Sequence, residues 1–423
     1  MILDSIQCMR KLLYILIPVL SISYSSDPIK IAMKDVLASA RKDDRFVYNQ
    51  KTLTLLKGMD YRLPLLQKLD LRYGTDDYGV NRSQYGLGFS FNTFSQMKNQ
   101  LAIKNAQMGI YEAQNDYLMQ QAILDRYVTL TDIYFSNQLL DKFKTLETLL
   151  NLKNATQREM LQRGLDVRIK DIVDNENDKN SLQLSMSNLE SNLANNYQKV
   201  KQFLGRQNDL DIDFKDIIAV KQVENIVNDV KKKIDLQMPE LKLRKSQIGL
   251  ANAELNLENA MNREYFSSFQ LGFEQKPKTN LFENPFFRLG FNVPLLGNSR
   301  LKRNELALDI LEAEDRFNLT YLTAQKEIKL QIVSIENLLK KYALFYDKNE
   351  KSIIKNILNN KKLTAELNAS DLLDLKILQQ KGDIEIVKIA NDLTHEYVAL
   401  LDKVGLLTAS PNKNYLSVGL DNW

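Results

Sequence analysis

The residues in this chain that could do chemistry are few, and most are carboxylates. Asp371 and Asp374 lie three positions apart, about one helical turn, so both side chains can face the same way. Asp171 and Asp174 have the same spacing 200 residues earlier. Such pairs can attract cations and repel anions. The plainer explanation is an acidic first turn that complements the helix dipole.

Metal-dependent and nucleophilic chemistry find little support in the sequence. His395 is the only histidine, so no second histidine can complete a metal site, and Cys8 is the only cysteine. The sequence contains no phosphate-binding glycine loop and no nucleophile motif. We therefore predict a protein that is not an enzyme and uses no metal or other cofactor.

The composition favours long helices, and the N-terminal sequence predicts an exported protein. The net charge is only +4 over 423 residues, which gives no indication of nucleic-acid binding, and Gly and Pro are scarce. Arg10 and Lys11 precede an apolar run, Leu12–Leu20, and Ser23–Ser25 offers a cleavage site. This pattern predicts a signal peptide, with Met9 as an alternative start, although a short anchoring helix would also fit. No other segment is apolar enough for a transmembrane helix, so a membrane role would require strands.

Four short stretches alternate apolar and polar residues with a period of two, which is typical of strands with one apolar side. Leu69, Leu71 and Tyr73 alternate in the first stretch, and Phe287–Val293 alternates in the last before Pro294 ends it. The polar positions predicted to share the other face are Lys68, Asp70, Arg72, Ser90, Asn92, Gln270, Glu274, Arg288 and Asn292.

Long helical patterns separate and follow these strand pairs. One runs from about Gln96 to Gln162, and at about 65 residues it would be close to 100 Å long. The next runs from about Asp171 to Phe203 and stops at Gly205. Its apolar residues keep heptad spacing, with Asn196 as the polar exception among Met186, Leu189, Leu193, Val200 and Phe203.

The two halves of the chain align at an offset of about 200 residues, which indicates an internal repeat. Ile110–Ala113 matches Ile310–Ala313, and the aspartate pairs match each other. Leu193, Tyr197 and Gly205 match Leu393, Tyr397 and Gly405. The predicted division is a signal peptide 1–25, a helical lead-in 26–62, strand hairpins 63–95 and 264–297, helical hairpins 96–205 and 298–405, a connector 206–237, a helix 238–263 and an irregular tail 406–423.

Each half thus supplies two strands and a long helical hairpin. Four strands cannot close a barrel, and open edges in lipid would leave backbone groups unpaired. Three copies would pool twelve strands, an even number within the range of outer-membrane barrels, and the polar face would then line a water-filled lumen. The alternative is a soluble antiparallel sheet with one buried face.

The ordered set of motifs resembles the TolC-like outer-membrane efflux and secretion channels over nearly all of the mature chain. Met238–Leu241 is similar to the start of that family's second half, and Phe291–Gly297 to its strand-to-helix turn. Leu367–Leu373 is similar to its second periplasmic turn. The sequence departs from the family in having Thr93–Ser95 in place of a Pro-containing turn, and in lacking the usual glycine of the second turn.

The resemblance implies a mixed α/β membrane protein: a homotrimer whose twelve-stranded transmembrane β-barrel continues into a periplasmic barrel of coiled helices. It implies a passive exit channel for tripartite efflux or type I secretion, in contact with outer-membrane lipid and docked to a periplasmic adaptor and an inner-membrane transporter, without nucleic acid. The alternative is a secreted or periplasmic coiled-coil structural protein. The implied gate residues are Asp371, Asp374, Asp171 and Asp174, and the implied docking residues at the hairpin tips are Arg163, Gly164, Leu165, Leu367, Asn368 and Ser370.

Overall fold

A computed structural model of the chain describes residues 29–60, 62–75, 83–165, 168–214, 217–232, 238–262, 266–275, 283–291, 298–350, 353–409 and 413–423. The predicted signal peptide, Asn292 and the Pro294 turn lie outside these residues. Within the described ranges, no helix combines the length and apolarity needed to cross a membrane.

The chain alternates short strands with very long helices. The strands are β1 (Ile29–Ala32), β2 (Leu66–Thr75), β3 (Ser83–Phe91), β4 (Leu210–Asp213), β5 (Phe266–Glu274) and β6 (Pro285–Phe291). The helices are α1 (Met33–Ala38), α2 (Asp44–Gly58), α3 (Phe94–Gln162), α4 (Ile169–Leu204), α5 (Val220–Lys232), α6 (Pro239–Asn262), α7 (Asn298–Glu350), α8 (Ile353–Asn359), α9 (Lys361–Glu366), α10 (Ala369–Val404) and α11 (Leu406–Ala409), with a 3₁₀ turn at Ser39–Lys42.

Local chemistry sets where the long helices begin and end. Thr93 caps α3, because its hydroxyl accepts the Gln96 N–H while the Gln96 side chain accepts the Thr93 N–H. Gly164, Gly205 and Gly405 follow helix ends with φ values of +73°, +62° and +82°. These left-handed conformations favour glycine. The predicted glycine stops therefore lie at helix ends in the structure.

Helix α3 is the centre of the helical layer. Its sheet-proximal half packs against α2 and α6, and its distal half packs against α4 and α10. Helix α7 lies beyond, against α6 and α10. The helices are therefore ordered α2–α3–α6–α7 near the sheet and α4–α3–α10–α7 further away.

The strands form two sheets. β2, β3, β5 and β6 make one antiparallel sheet in that order, and β1 pairs with β4 in parallel. The helical prediction for 26–62 missed β1, and the predicted connector 206–237 contains β4 and α5. Each of these two strands has only four residues, so their alternation is too short to be distinctive, and only their pairing across the chain makes them strands.

The C-terminal segment is packed rather than loose. Tyr415 and Leu416 are buried, the Tyr127 hydroxyl donates to the Lys413 carbonyl at 3.0 Å, and the Tyr415 N–H donates back to that hydroxyl at 2.9 Å. Burial raises the pKa of Tyr127, which keeps the hydroxyl neutral. The predicted irregular tail is instead part of the core that surrounds β1, β4 and α5.

A buried arginine joins α3 to the start of α2. The Arg126 side chain is 1% exposed, and its Nη1 lies 3.1 Å from Asp43 Oδ2 while its Nε donates to Ser39 Oγ at 2.8 Å. Its guanidinium also lies 4.3 Å from the centre of the Phe203 ring. The pKa of Asp43 falls to about 2, mainly because Arg45 donates to it; burial opposes this, and Arg126 adds to the lowering.

We expect Asp43→Asn to destabilise the protein by about 3 kcal/mol or more, since it leaves a buried arginine without its anion. Because the folded pKa of Asp43 lies below its unfolded value, its contribution is present above about pH 4 and is lost as the pH falls toward 2. Thermal unfolding at several pH values measures both effects. The adjacent Asp44→Asn is the control, and equal melting temperatures for the two variants would contradict the prediction.

Candidate functional site

One face of the four-stranded sheet is polar. Asp70, Gly88, Gln270 and Arg288 form a row across all four strands, because each pairs with the next in register. The six predicted lumen residues share this face: Lys68, Asp70, Arg72, Gln270, Glu274 and Arg288. Their placement follows from the register, whereas their role in a lumen stays a prediction.

The charges on this face are largely paired within it. Lys68 Nζ lies 2.6 Å from Asp70 and Arg72 Nη2 lies 3.8 Å from the same carboxylate. Arg288 donates to Gln84 at 3.2 Å. Exposed pairs of this kind contribute little stability. The result is a hydrated face whose charges nearly balance.

Glycines allow close packing on the polar face. The Phe286 ring lies over Gly272, and a Cβ atom at that position would overlap both this ring and the Tyr85 carbonyl. The Arg288 guanidinium lies 4.6 Å from the centre of the Phe286 ring. Sequence reasoning missed Phe286, although its even register with Arg288 was a usable signal.

The opposite face is apolar and open. Leu71, Leu87, Leu271 and Phe287 form a row across the four strands, and all four are exposed, Leu71 to 81%. The ring centres of Phe269 and Phe287 lie 4.9 Å apart on the same face. No described part of the chain covers this surface, so the alternative of a soluble sheet with a buried face does not describe this chain on its own.

The first helical hairpin ends in an exposed turn. Gly164 adopts φ +73°, the Leu165 N–H donates to the Met160 carbonyl at 2.9 Å, and Arg163 pairs with Glu159. The Leu165 side chain is exposed. These three predicted docking residues therefore lie at one tip, accessible to a partner.

The second hairpin ends in short helical segments. Asn368 caps α10, because its side-chain oxygen accepts the Asp371 N–H at 2.8 Å. Leu367 precedes this cap, and Ser370 lies in the first turn after it. The three predicted docking residues Leu367, Asn368 and Ser370 therefore lie within one four-residue stretch.

The four predicted gate carboxylates have different environments. Asp374 lies 2.6 Å from Lys153 of α3, whose side chain is 17% exposed, and Asp171 lies 3.0 Å from Arg168. Asp371 and Asp174 are exposed and have no ion-pair partner among the described residues. The structure therefore does not make the four equivalent.

Sequence reasoning missed both basic partners. Arg168 lies three residues before Asp171, so helical spacing could have identified it. Lys153 and Asp374 belong to different hairpins, and no local pattern relates them. The Lys153–Asp374 pair joins the first hairpin to the second.

The architecture matches solved outer-membrane channels. OprN, described as an outer-membrane channel, superposes with a TM-score of 0.64 at 12% identity over 88% of this chain and 89% of its own. The open-state MtrE outer membrane channel of Neisseria gonorrhoeae gives 0.61 at 12% identity, covering 88% of both chains. The CmeC outer membrane channel of Campylobacter jejuni gives 0.59 at 14% identity over 88% and 85%.

No protein-family model matches the sequence, and no curated protein matches it either. The chain nevertheless has the fold of outer-membrane channels, as its resemblance to TolC-like channels predicted. At this level of identity the likeness establishes the fold.

Replacing Gly272 should disrupt the sheet. We expect Gly272→Val to lower the melting temperature, because its side chain would overlap the Tyr85 carbonyl and the Phe286 ring, and overpacking typically costs about 1–3 kcal/mol. Gly74→Ala in β2 is the control, since nothing lies within 4 Å of its added Cβ. Thermal unfolding followed by circular dichroism checks this, and equal stability of the two variants would refute it.

Proposed function

We propose that this protein is the outer-membrane exit channel of an efflux or secretion system, a passive homotrimeric conduit that extends into the periplasm. The observation that carries the proposal is the open sheet with one exposed apolar face and one polar face. Lipid would cover the apolar face, and water in a lumen would hydrate the polar one.

The sheet edges support closure by further copies. β2 and β6 are the two outer strands, and each pairs with one neighbour among the residues that the structure describes. Unpaired backbone groups in lipid are costly, so adjoining copies would pair the two edges. Three copies of a four-stranded sheet would give a barrel of twelve strands.

The helical layer has matching free edges. Tyr48 and Leu55 of α2 are exposed, seven residues apart, at one edge near the sheet. At the other edge, α7 exposes two rows with a spacing of eleven residues. These rows are Leu308, Leu319 and Leu330, and Leu311, Leu322 and Val333. Apolar rows on opposite edges favour a ring in which α7 of one copy packs beside α2 of the next.

The hairpin tips are the proposed gate and docking surface. Asp371 and Asp174, which lack ion pairs within the described chain, would present carboxylates to the narrow end of the tube. The Lys153–Asp374 pair would hold the two hairpins together there. A periplasmic adaptor would dock at the tips and link the channel to an inner-membrane transporter, with no catalysis and no cofactor in the channel itself.

We expect detergent-extracted protein to be a trimer that forms ion-conducting pores in planar bilayers. Leu311→Glu should dissociate the trimer by placing a charge in the apolar row of α7, whereas Glu314→Lys, off that row, should not. Light scattering and bilayer recording measure the two properties. A stable monomer in mild detergent, or protein that dissolves without detergent, would favour the coiled-coil structural protein instead.

Two variants at the proposed gate should separate the effect of its negative charge on ion selectivity from the effect of the Lys153–Asp374 ion pair on conductance. Asp371→Asn should reduce the preference for cations in a KCl gradient. Lys153→Gln should raise conductance, because it frees the second hairpin and leaves Asp374 uncompensated. Lys170→Gln, an exposed lysine in the first turn of α4, is the control. An unchanged reversal potential in Asp371→Asn would remove Asp371 from the conducting path.

A further inference from the structure

A polar layer interrupts the apolar packing of the helical hairpins. On one side, α3, α4 and α10 share a core that includes Leu130, Val200 and Leu393. On the other side, the same helices share a second core that includes Phe143 and Leu182. Asn196, the exception in the heptad series, lies beside the first core, because Val200 belongs to that core and Leu193 packs against it, and it is 6% exposed.

A cleft of about 670 Å³ opens at this layer. That volume is within the usual range for a small-ligand site. Six of its ten lining residues are Asn or Gln, and Leu189 is the only aliphatic one. The lining residues are Asp132, Ser136, Leu189, Asn192, Asn195, Asn196, Gln198, Lys199, Gln202 and Asn391.

Two polar groups of the cleft are held in place by neighbouring side chains. His395 Nε2 lies 2.9 Å from Asp132 Oδ1, and Lys199 Nζ donates to Asn196 Oδ1 at 3.2 Å. Ser136, like Asn196, is more than nine-tenths buried. Asn391 Oδ1 is buried and has no hydrogen-bond partner among the described residues. This oxygen is also closed to solvent, so the exposed amides of Asn192, Asn195 and Gln198 are the lining groups that a ligand could reach.

The chemistry of the lining limits the ligand. One carboxylate, Asp132, and one ammonium, Lys199, balance each other, so a strongly charged ligand would meet a like charge. Apolar ligands would find little apolar surface. An extended peptide would find no strand edge to pair with, because all three walls are helices whose backbone groups bond internally.

We propose that this cleft binds a glycan. Each sugar hydroxyl both donates and accepts, which suits a wall of carboxamides that also do both. Sugar hydroxyls would donate to the exposed amide oxygens of the lining, while the amide nitrogens and Lys199 would donate to neighbouring sugar oxygens. The glycan could be a strand of the cell wall or a soluble saccharide, which share this chemistry. The site is separate from conduction, so it can fail while the channel function stands.

Asn196→Leu gives the sharpest test, because leucine restores the heptad seam while removing the central amide. We expect this variant to melt at or above the wild-type temperature and to bind triacetylchitotriose at least about tenfold more weakly, the size of one lost hydrogen bond. Titration calorimetry and saturation-transfer NMR would be run on the full protein in a detergent without a sugar headgroup. Asn188→Leu, on an exposed part of the same helix, should bind as the wild type does.

A second variant and further ligands in the same binding experiments distinguish the chemical class and the source of the ligand. Asn391→Leu should also weaken binding, which keeps the test valid if Asn196→Leu does not fold. Cosedimentation of wild-type protein, but not Asn196→Leu, with isolated cell-wall sacculi would indicate a wall strand, and binding of the trisaccharide alone would indicate a soluble saccharide. No binding of triacetylchitotriose or maltotriose by the wild type, equal binding of triglycine, or unchanged binding in both variants would overturn the proposal.

Discussion

The structure depends on one unsatisfied constraint: a single chain cannot complete its own sheet. The four strands leave two edges with unpaired backbone groups and an apolar face that no described residue covers. A closed ring in lipid would satisfy both the edge backbone groups and the apolar surface. In water an isolated chain would hydrate its edge groups but leave the apolar face exposed. The long helices continue from these strands, so closing the sheet into a ring would bring the helical layers together as well.

The long helices also carry apolar side chains that the chain itself does not cover. Some of their apolar side chains pack against other helices of the same chain, and others remain exposed. In α7, Ile328 and Ile335 are buried at a heptad spacing, whereas the exposed rows repeat every eleven residues. An ideal helix lies between these two periods, so a single helix can present differently inclined seams to different neighbours.

The ion pairs of the four aspartates at the hairpin tips do not follow the matching spacing of these residues in the sequence. The aspartate pairs recur at an offset of 200 residues, but each carboxylate has its own surroundings. Asp374 is joined to a lysine of the other hairpin, and Asp171 to an arginine of its own turn. Aspartates with the same spacing in the two halves of the sequence thus make different contacts, because the two hairpins have different neighbours.

Much of the architecture could be predicted from the residues alone, because it depends on short-range periodicity. Alternation at Leu69, Leu71 and Tyr73 placed the faces of β2, and glycines 164, 205 and 405 marked helix ends. Pairings between distant segments could not be predicted in this way. β1 needed β4, Lys153 needed Asp374, and the C-terminal segment needed Tyr127.

Sequence by itself therefore determined the strands and the two faces of the four-stranded sheet and the extents of α3 and α4, since neighbouring residues decide these. Tertiary structure alone decided which carboxylates are paired, that Tyr415 and Leu416 pack into the core, and that Asn196 lines a polar cleft rather than merely interrupting a seam. The physical reason is that burial and ion pairing depend on side chains from distant parts of the chain. Local periodicity does not show which distant segments come into contact.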